Sequence, residues 1–142
     1  AESSGALKTE DIVASGVKAK PDINVLATTS GRTINAMVWN YHDDDVTVAP
    51  AKVSLNIGGL PRNATGALVR HYRIDEKHSN AYTLWKSMGS PQQPTGEQYR
   101  ALEAAGQLHL LTPATYATAK NGAIQLDFEL PRQGVSLVQL TW

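Results

Sequence analysis

AIQLDFEL, residues 123–130, alternates apolar and polar side chains without interruption. Because successive side chains of a β-strand point to opposite faces, every second residue from Ile124 to Leu130 lies on one face. The polar residues between them, Gln125, Asp127 and Glu129, lie on the other face, as in a strand with one side in water. The segment therefore predicts a β-strand that contributes one face to a hydrophobic core.

Other segments share this pattern along most of the chain. Residues 52–57 repeat the alternation, with Val53, Leu55 and Ile57 on one face. Turns rich in glycine, proline, serine and aspartate separate the segments, and many short strands joined by turns are typical of a sandwich or barrel. We therefore predict an all-β fold, an antiparallel β-sandwich. The remaining predicted strands are residues 23–28, 33–41, 46–49, 67–75, 116–120 and 135–141.

One turn carries a specific hairpin signal. Asn121 and Gly122 stand between the predicted strand at 116–120 and the alternating segment at 123–130. Both central positions of a type I′ turn require positive φ, which asparagine and glycine adopt most readily. The pair therefore predicts a two-residue hairpin.

Residues 80–106 depart from the strand pattern and predict a helical insertion. Tyr82, Trp85 and Met88 lie on one side of a short helix, which Gly89 and Pro91 would close. Connections between strands are usually short. We therefore expect an insertion of this length, with helices of its own, to contact another body.

A second helix in the insertion begins with a capping box formed by Thr95 and Gln98, and Gly106 stands where its C-terminal cap belongs. A weaker helix is predicted at residues 9–15. We accordingly divide the chain into an N-terminal connector, residues 1–22, that contains this weaker helix, and a β-sandwich domain, residues 23–142, with the helical insertion at about 80–106.

Composition excludes several classes of function. The chain of 142 residues has 13 basic and 13 acidic residues and no cysteine. Because the basic residues form no stripe, we expect no nucleic-acid partner. Without cysteine, disulfides, thiolate metal sites and thiol catalysis are excluded. The longest apolar runs are much shorter than the roughly 20 residues of a membrane helix, so we expect no membrane partner, and the compartment stays open.

Motifs for nucleophiles, phosphates and metals are also missing. G-x-S-x-G and the glycine-rich phosphate loops do not occur, and the four histidines lack H-x-H and H-x-x-x-H spacing. The three aspartates at 43–45 supply the oxygen ligands that Ca²⁺ prefers, but the spacing of known calcium loops is absent, so a solvated hairpin tip is favoured. We predict no metal and no cofactor.

A resemblance to a known family rests first on two segments, HYRIDEKHSNAY at residues 71–82 and WKSMGSPQ at 85–92. Both closely resemble the C-terminal part of β-xylosidases of glycoside hydrolase family 39. The string R-I-D-x-x-H-S-N-x-Y at 73–82 is the most specific part, and the resemblance covers residues 23–142. It continues in VWNYH at 38–42, PTGEQY at 94–99, AGQL at 105–108, LPRQ at 130–133 and VSL at 135–137.

The resemblance implies a parent enzyme, a retaining β-xylosidase made of a (β/α)₈ barrel and a β-sandwich. In that family both catalytic glutamates lie at the ends of barrel strands, and the acid/base follows an asparagine in an Asn-Glu-Pro motif. This sequence contains no Asn-Glu pair and lacks the roughly 200 or more residues that a barrel requires. No catalytic residue is therefore carried over to any position of this chain.

The acidic residues of the chain agree with that reading. Cleavage of a glycosidic bond requires two carboxyl groups that face each other across the sugar. Asp127 and Glu129 lie on the wet face of a predicted strand and not in the apolar setting that is typical of a catalytic acid. Asp75 and Glu76 lie beside His78 at a strand end, and a structural salt bridge explains them about as well as a function does.

We therefore expect the chain to be a non-catalytic accessory domain that packs against the barrel of its parent and stabilises it or braces loops near its mouth. Charged and aromatic side chains gather at the start of the insertion, and the predicted interface residues are Arg73, Asp75, His78, Tyr82 and Trp85. An interface between domains of one chain is fairly polar, which suits this mixture. Without a barrel the surface would be exposed, so self-association is a corollary.

Two alternatives belong to other classes. In one, the chain is a free carbohydrate-binding module, because exposed tryptophan and tyrosine rings stack on the faces of pyranose sugars. In the other it is an enzyme in which Asp75 and Glu76 act across a cleft between two copies. Heat on titration with xylo-oligosaccharides would distinguish the first, and hydrolysis of an aryl xyloside would distinguish the second.

Overall fold

The computed structural model describes residues 9–15, 22–41 and 48–142. The helices in these ranges are α1, Thr9–Ser15; α2, Ala81–Ser87; and α3, Gly96–Ala105. The strands are β1, Asp22–Ser30; β2, Thr33–Tyr41; β3, Ala51–Ile57; β4, Gly66–Ile74; β5, Thr115–Thr118; β6, Ile124–Leu130; and β7, Val135–Thr141.

The strands form two antiparallel sheets. One has five strands in the order β1-β2-β7-β4-β5, and the other pairs β3 with β6. Alternate residues of β2, β3, β6 and β7 turn inward, so that Val38, Leu55, Ile124 and Leu140 meet in one core between the sheets. Each fully buried aliphatic side chain of this kind stabilises the fold by about 1.5–3 kcal/mol. The predicted all-β sandwich is confirmed.

Strand positions agree closely with the alternation of the sequence. Strands β2 and β7 begin and end at the predicted residues, and the others differ by one or two residues at an end. The predicted strand at 46–49 is wrong where it can be compared, because Val48 and Ala49 lie in irregular backbone; residues 46 and 47 lie outside the described ranges. His42 and the aspartates at 43–45 also lie outside them.

The turn at Asn121 and Gly122 has the predicted geometry but a different connection. Both residues have positive φ, 54° and 73°, and Lys120 and Ala123 exchange backbone hydrogen bonds of 2.8 and 3.0 Å across them. The chain then crosses between layers, because β5 belongs to the five-stranded sheet and β6 to the other. The local signal fixes the turn type, whereas the sheet that each strand joins depends on the rest of the chain.

The insertion follows β4 and contains α2 and α3, which pack against each other. The predicted capping box is confirmed: the Thr95 hydroxyl accepts from the Gln98 N–H, and the Gln98 side chain accepts from the Thr95 N–H. Gly106 caps the end of α3, where an added Cβ would lie 3.5 Å from the Cβ of Ala81. Neither helix buries a residue in the chain alone.

Helix α1 occupies the predicted residues 9–15, and the division into connector and sandwich domain remains a prediction. Across the described part of the chain, every helix is too short or too polar to cross a membrane.

Candidate functional site

The candidate site lies where β4 ends and the insertion begins. Arg73 is its buried residue, on the side of the site that faces the core. Register places Arg73 beside Ser136 of β7, and the side chain points into the core. Its Nε donates to Ser136 Oγ at 2.8 Å, its Nη2 donates to the backbone oxygen of Glu129 at 2.9 Å, and its Nη1 lies 3.5 Å from Asp75 Oδ2. One guanidinium thus connects β4, β7 and β6.

Asp75 folds the chain into a tight turn immediately after β4. Its Oδ1 accepts from the backbone N–H groups of Lys77 and His78 at 2.8 and 2.9 Å, and it also lies 2.8 Å from His78 Nδ1. The Asp75 N–H donates to the His78 oxygen at 3.1 Å. A short acidic side chain that bonds the backbone two and three residues ahead is a common way to build such a turn.

Ser79 and Asn80 connect the turn to the start of α2. Ser79 has φ of 50°, and its hydroxyl accepts from the His109 N–H at 3.1 Å, where the insertion returns to the sheet. Asn80 is the N-cap: its Oδ1 accepts from the N–H groups of Tyr82 and Thr83, and its Nδ2 donates to the Asp75 oxygen at 2.9 Å. One residue therefore joins the turn to the helix.

These bonds give a physical meaning to the string R-I-D-x-x-H-S-N-x-Y. Arg73, Asp75, His78, Ser79 and Asn80 each hold one part of the same turn, and together they fix the direction in which the insertion leaves the sandwich. We call these five residues the β4-end turn.

Hydrogen bonds within the turn favour the ionised form of Asp75. Burial alone would raise the pKa of the Asp75 carboxyl, but the hydrogen bonds from Lys77 and His78 outweigh it and leave that pKa below its usual value. Burial lowers the pKa of Arg73, and the nearby Asp75 carboxylate partly opposes the change. With relative exposures of 4% for Arg73 and 8% for Asp75, the two form a buried ion pair.

His71 lies next to this pair inside the sandwich. Its Nε2 is 2.9 Å from Ser136 Oγ, and its ring meets the Phe128 ring edge-on with centroids 4.8 Å apart. Burial, helped by the positive charge of Arg73, lowers the His71 pKa from 6.5 to about 4. Because Ser136 Oγ accepts from Arg73, its own proton can be donated to the neutral imidazole.

A second group of side chains lies on α2. The rings of Tyr82 and Trp85 stack with centroids 5.7 Å apart, and Lys86 Nζ lies 5.0 Å from the Tyr82 centroid. Trp85 Nε1 donates to the Pro91 oxygen at 3.0 Å, which ties α2 to the segment that follows it. Tyr82 is 59% exposed, and Tyr99 on α3 is 64% exposed.

The five predicted interface residues therefore fall into two groups that Asn80 connects. Arg73, Asp75 and His78 belong to the β4-end turn, and Tyr82 and Trp85 form the stacked pair on α2. Arg73 and Asp75 are buried in the chain itself, so a partner at this surface would contact the exposed parts of His78 and Tyr82. The interface role of all five remains a prediction.

Sequence reasoning missed three polar residues of the core. Ser136 and His71 complete the Arg73 network, and Asn40 donates from Nδ2 to the oxygens of Leu130 at 3.1 Å and Pro131 at 3.3 Å. Asn40 and Ser136 occupy inward positions in strands of otherwise apolar inner face, which is the available signal. Their partners depend on which strands are neighbours, and local alternation does not contain that information.

Two grooves in the described part of the chain differ in their lining residues. One, of about 570 Å³, lies against the β4-end turn and α2 and is lined by one acidic residue, Glu76, together with His109 and Asn80. The other, of about 810 Å³, lies beside Leu60 and Gly122 and has no acidic lining residue. Among the residues described, no group of three histidine or acidic side chains is arranged to hold a metal ion.

Comparison with known proteins identifies the family. The family model described as glycosyl hydrolases family 39 matches residues 4–125. A β-xylosidase from Geobacillus stearothermophilus is 28% identical over 108 residues, which cover 76% of this chain and 20% of that protein.

Two solved structures share the fold. A GH39 enzyme from Xanthomonas axonopodis pv. citri superposes with a TM-score of 0.69 at 16% identity, covering 83% of this chain and 26% of that one. A monomeric β-xylosidase from Caulobacter crescentus gives 0.64 at 17% identity, covering 82% and 26%. The chain thus spans about a fifth to a quarter of the length of these relatives, which are larger proteins.

Proposed function

The chain belongs to glycosyl hydrolases family 39, and from this we propose that it is the non-catalytic β-sandwich part of a larger retaining β-xylosidase. The parent would remove terminal xylose from xylo-oligosaccharides. The observation that carries the proposal is the match itself: a two-sheet β domain corresponds to 20–26% of relatives that include β-xylosidases.

The acids of the described residues support a non-catalytic role. A retaining glycosidase needs two carboxyl groups about 5–5.5 Å apart, one of which is kept protonated by a raised pKa. Asp75 has the opposite property, since its pKa lies below the usual value and its oxygens already bond Lys77 and His78. Asp127 and Glu129 lie on the exposed face of β6, and neither of them lines either of the two grooves described above.

In this proposal the domain packs against the (β/α)₈ barrel of its parent through the insertion and the β4-end turn. The buried ion pair and the cap at Asn80 hold the base of the insertion rigidly. The exposed rings of Tyr82 and Tyr99, on helices that bury nothing in the chain alone, provide surface for a partner to cover. The domain would stabilise the barrel or brace loops near its mouth.

Hydrolysis of an aryl xyloside tests the proposal. The full-length parent should release p-nitrophenol from p-nitrophenyl β-xyloside, and the purified 142-residue chain should release none. Measurable release by the chain that is lost in Asp75→Asn would contradict the proposal and favour an enzyme that acts through Asp75. Glu97→Gln, on the exposed surface of α3, is the matched control.

The stacked Tyr82–Trp85 pair favours one second candidate, a carbohydrate-binding module, because partly exposed rings are the usual platform for a pyranose. Calorimetric titration of the chain with xylo-oligosaccharides distinguishes the two. If the chain is a non-catalytic accessory domain, we expect no heat of binding. Saturable heat that disappears in Tyr82→Ala, and persists in Tyr116→Ala on β5, would favour the module.

A further inference from the structure

The five-stranded sheet has a second face, which points away from β3 and β6. On β2 the inward residues are Ile34, Ala36, Val38 and Asn40, so Met37 and Trp39 point outward. Leu137 of β7 and Tyr72 of β4 also lie between inward neighbours and share this outer face.

Strand register arranges the outer face in rows that run across the sheet. One row is Leu26, Met37, Leu137 and Tyr72, in which each residue is the direct partner of the next. The row beside it is Asn24, Trp39, Val135 and Ile74, paired in the same way. Directly paired residues project from the same face and lie about 5 Å apart. We call the seven apolar residues of these two rows the outer apolar patch.

Three of the seven residues in the patch are exposed and the other four are partly buried, and the patch ends at a polar row. Leu26 is 55% exposed, Ile74 45% and Met37 39%. The next row along the strands is Thr28, Asn35, Gln139 and Arg70, and Gln139 Nε2 donates to Asn35 Oδ1 at 3.0 Å. The half of the face that holds the patch is therefore apolar, and a polar row borders it. A contiguous apolar area bordered by polar residues is the usual mark of a contact surface.

The apolar half lies at the end of the sheet that carries the insertion. Ile74 immediately precedes Asp75, the first residue of the β4-end turn. After α3 the chain returns beside the patch, where Leu110 forms a bridge with Tyr72 and the Leu111 N–H donates to the His71 oxygen at 2.7 Å. The patch and the insertion thus form neighbouring parts of one side of the domain.

We propose that the outer apolar patch is a docking surface for the catalytic part of the parent chain, with the row of Thr28, Asn35, Gln139 and Arg70 as its border. This rests on the proposed function and specifies its partner contact. The relatives have about three-quarters of their length outside the region matched here, which is ample chain to cover the patch. The patch adjoins the insertion, so the catalytic part of the parent could cover the patch and the insertion together. This favours the catalytic part over a second copy of the chain as the occupant.

Oxidation of Met37 provides a direct test, because a thioether reacts with peroxide only when solvent reaches it. The full-length parent and the 142-residue chain are treated with dilute hydrogen peroxide, and peptide mass spectrometry follows Met37. We expect oxidation to be slower in the parent by at least about tenfold when both proteins are diluted until the chain is monomeric. Met88 in the same digests reports separately on the insertion.

Equal rates in parent and chain would overturn the inference. Protection in the parent that disappears on dilution would overturn it too, since a second copy would then be the occupant. Either result leaves the proposed function intact if the parent alone hydrolyses p-nitrophenyl β-xyloside. Hydrolysis by the chain would instead contradict the proposed function, whatever Met37 shows.

A pair of variants on β2 adds a readout that does not depend on oxidation. Met37→Glu should lower the melting temperature of the parent by several degrees but change that of the chain little, because the side chain is partly exposed there. Asn35→Glu, two residues away in the polar row, should leave both nearly unchanged. Equal effects of Met37→Glu on chain and parent would contradict docking at this surface.

Discussion

Arg73 shows how one buried charge organises the domain. Its guanidinium bonds Ser136 and the Glu129 oxygen and pairs with Asp75, so its removal would take one polar contact from each of the three. Removing one member of a buried ion pair commonly costs about 3–5 kcal/mol, because the remaining charge stays in a poorly solvated site.

We expect Arg73→Ala to lower the free energy of unfolding of the chain by about 3 kcal/mol. Urea denaturation followed by circular dichroism measures it. Arg100→Ala, on the exposed surface of α3, is the control and should change stability by less than about 0.5 kcal/mol. A loss at Arg73 no larger than that at Arg100 would show that the network contributes little.

His71 should make the stability of the domain depend on pH. The folded chain lowers the His71 pKa to about 4, whereas the unfolded chain has the ordinary value near 6.5. Between these values the unfolded state binds a proton that the folded state does not, so stability falls as the pH falls from about 6.5 to 4. Above 6.5 both states are neutral, and the His71 contribution no longer changes.

Urea unfolding of the wild type and of His71→Gln between pH 7 and 4 tests this expectation. The variant should lose less stability on acidification than the wild type. His109→Gln, in the exposed return of the insertion, should follow the wild type. Parallel pH curves for the wild type and His71→Gln would contradict the assignment.

At the scale of elements, the N-cap side chains of the two insertion helices bond different parts of the chain. The Thr95 hydroxyl accepts from Gln98 in its own capping box, whereas the Asn80 side chain caps α2 and also donates to the Asp75 oxygen. Loss of a cap costs about 1 kcal/mol. The additional bond should make Asn80 more important, because it connects the helix to the sandwich.

We expect Asn80→Ala to open α2 and the β4-end turn together, and Thr95→Ala to affect α3 alone. Hydrogen exchange of backbone amides measures both, with a loss of protection of about 1 kcal/mol in α3 for Thr95→Ala and more in α2 for Asn80→Ala. Unchanged exchange at Lys77 and His78 in Asn80→Ala would show that turn and helix are independent.

The positions of the helices and strands were the part of the structure that the sequence predicted best. Strands β2 and β7 and helix α1 occupy their predicted residues, because periodicity and capping are properties of neighbouring residues. The hydrogen bond of Arg73 with Ser136 and that of Asn40 with Leu130 could not be predicted. The first joins residues 63 positions apart in the sequence, and the second joins residues 90 positions apart. The interface residues were named because charged and aromatic side chains gather at the start of the insertion, and two of the five are buried.

At the scale of the whole molecule, the chain presents two surfaces that suit a partner, the insertion and the outer apolar patch. Separated from its parent, the chain should self-associate through them, because exposed apolar area of this kind rarely stays in water. Sedimentation velocity of the 142-residue chain should show an apparent mass that rises with concentration. Met37→Glu should reduce that rise and Asn35→Glu should not; a strictly monomeric chain would contradict this expectation.

The central claim is that the catalytic acids lie outside these residues, and covalent labelling of the parent enzyme tests it most directly. A retaining glycosidase forms a glycosyl-enzyme intermediate, which a 2-fluoro xyloside traps on the nucleophile. Peptide mapping after labelling should place the sugar on a glutamate outside the 142 residues of this chain. A label on Asp75, Glu76 or any other acid of this chain would contradict the account.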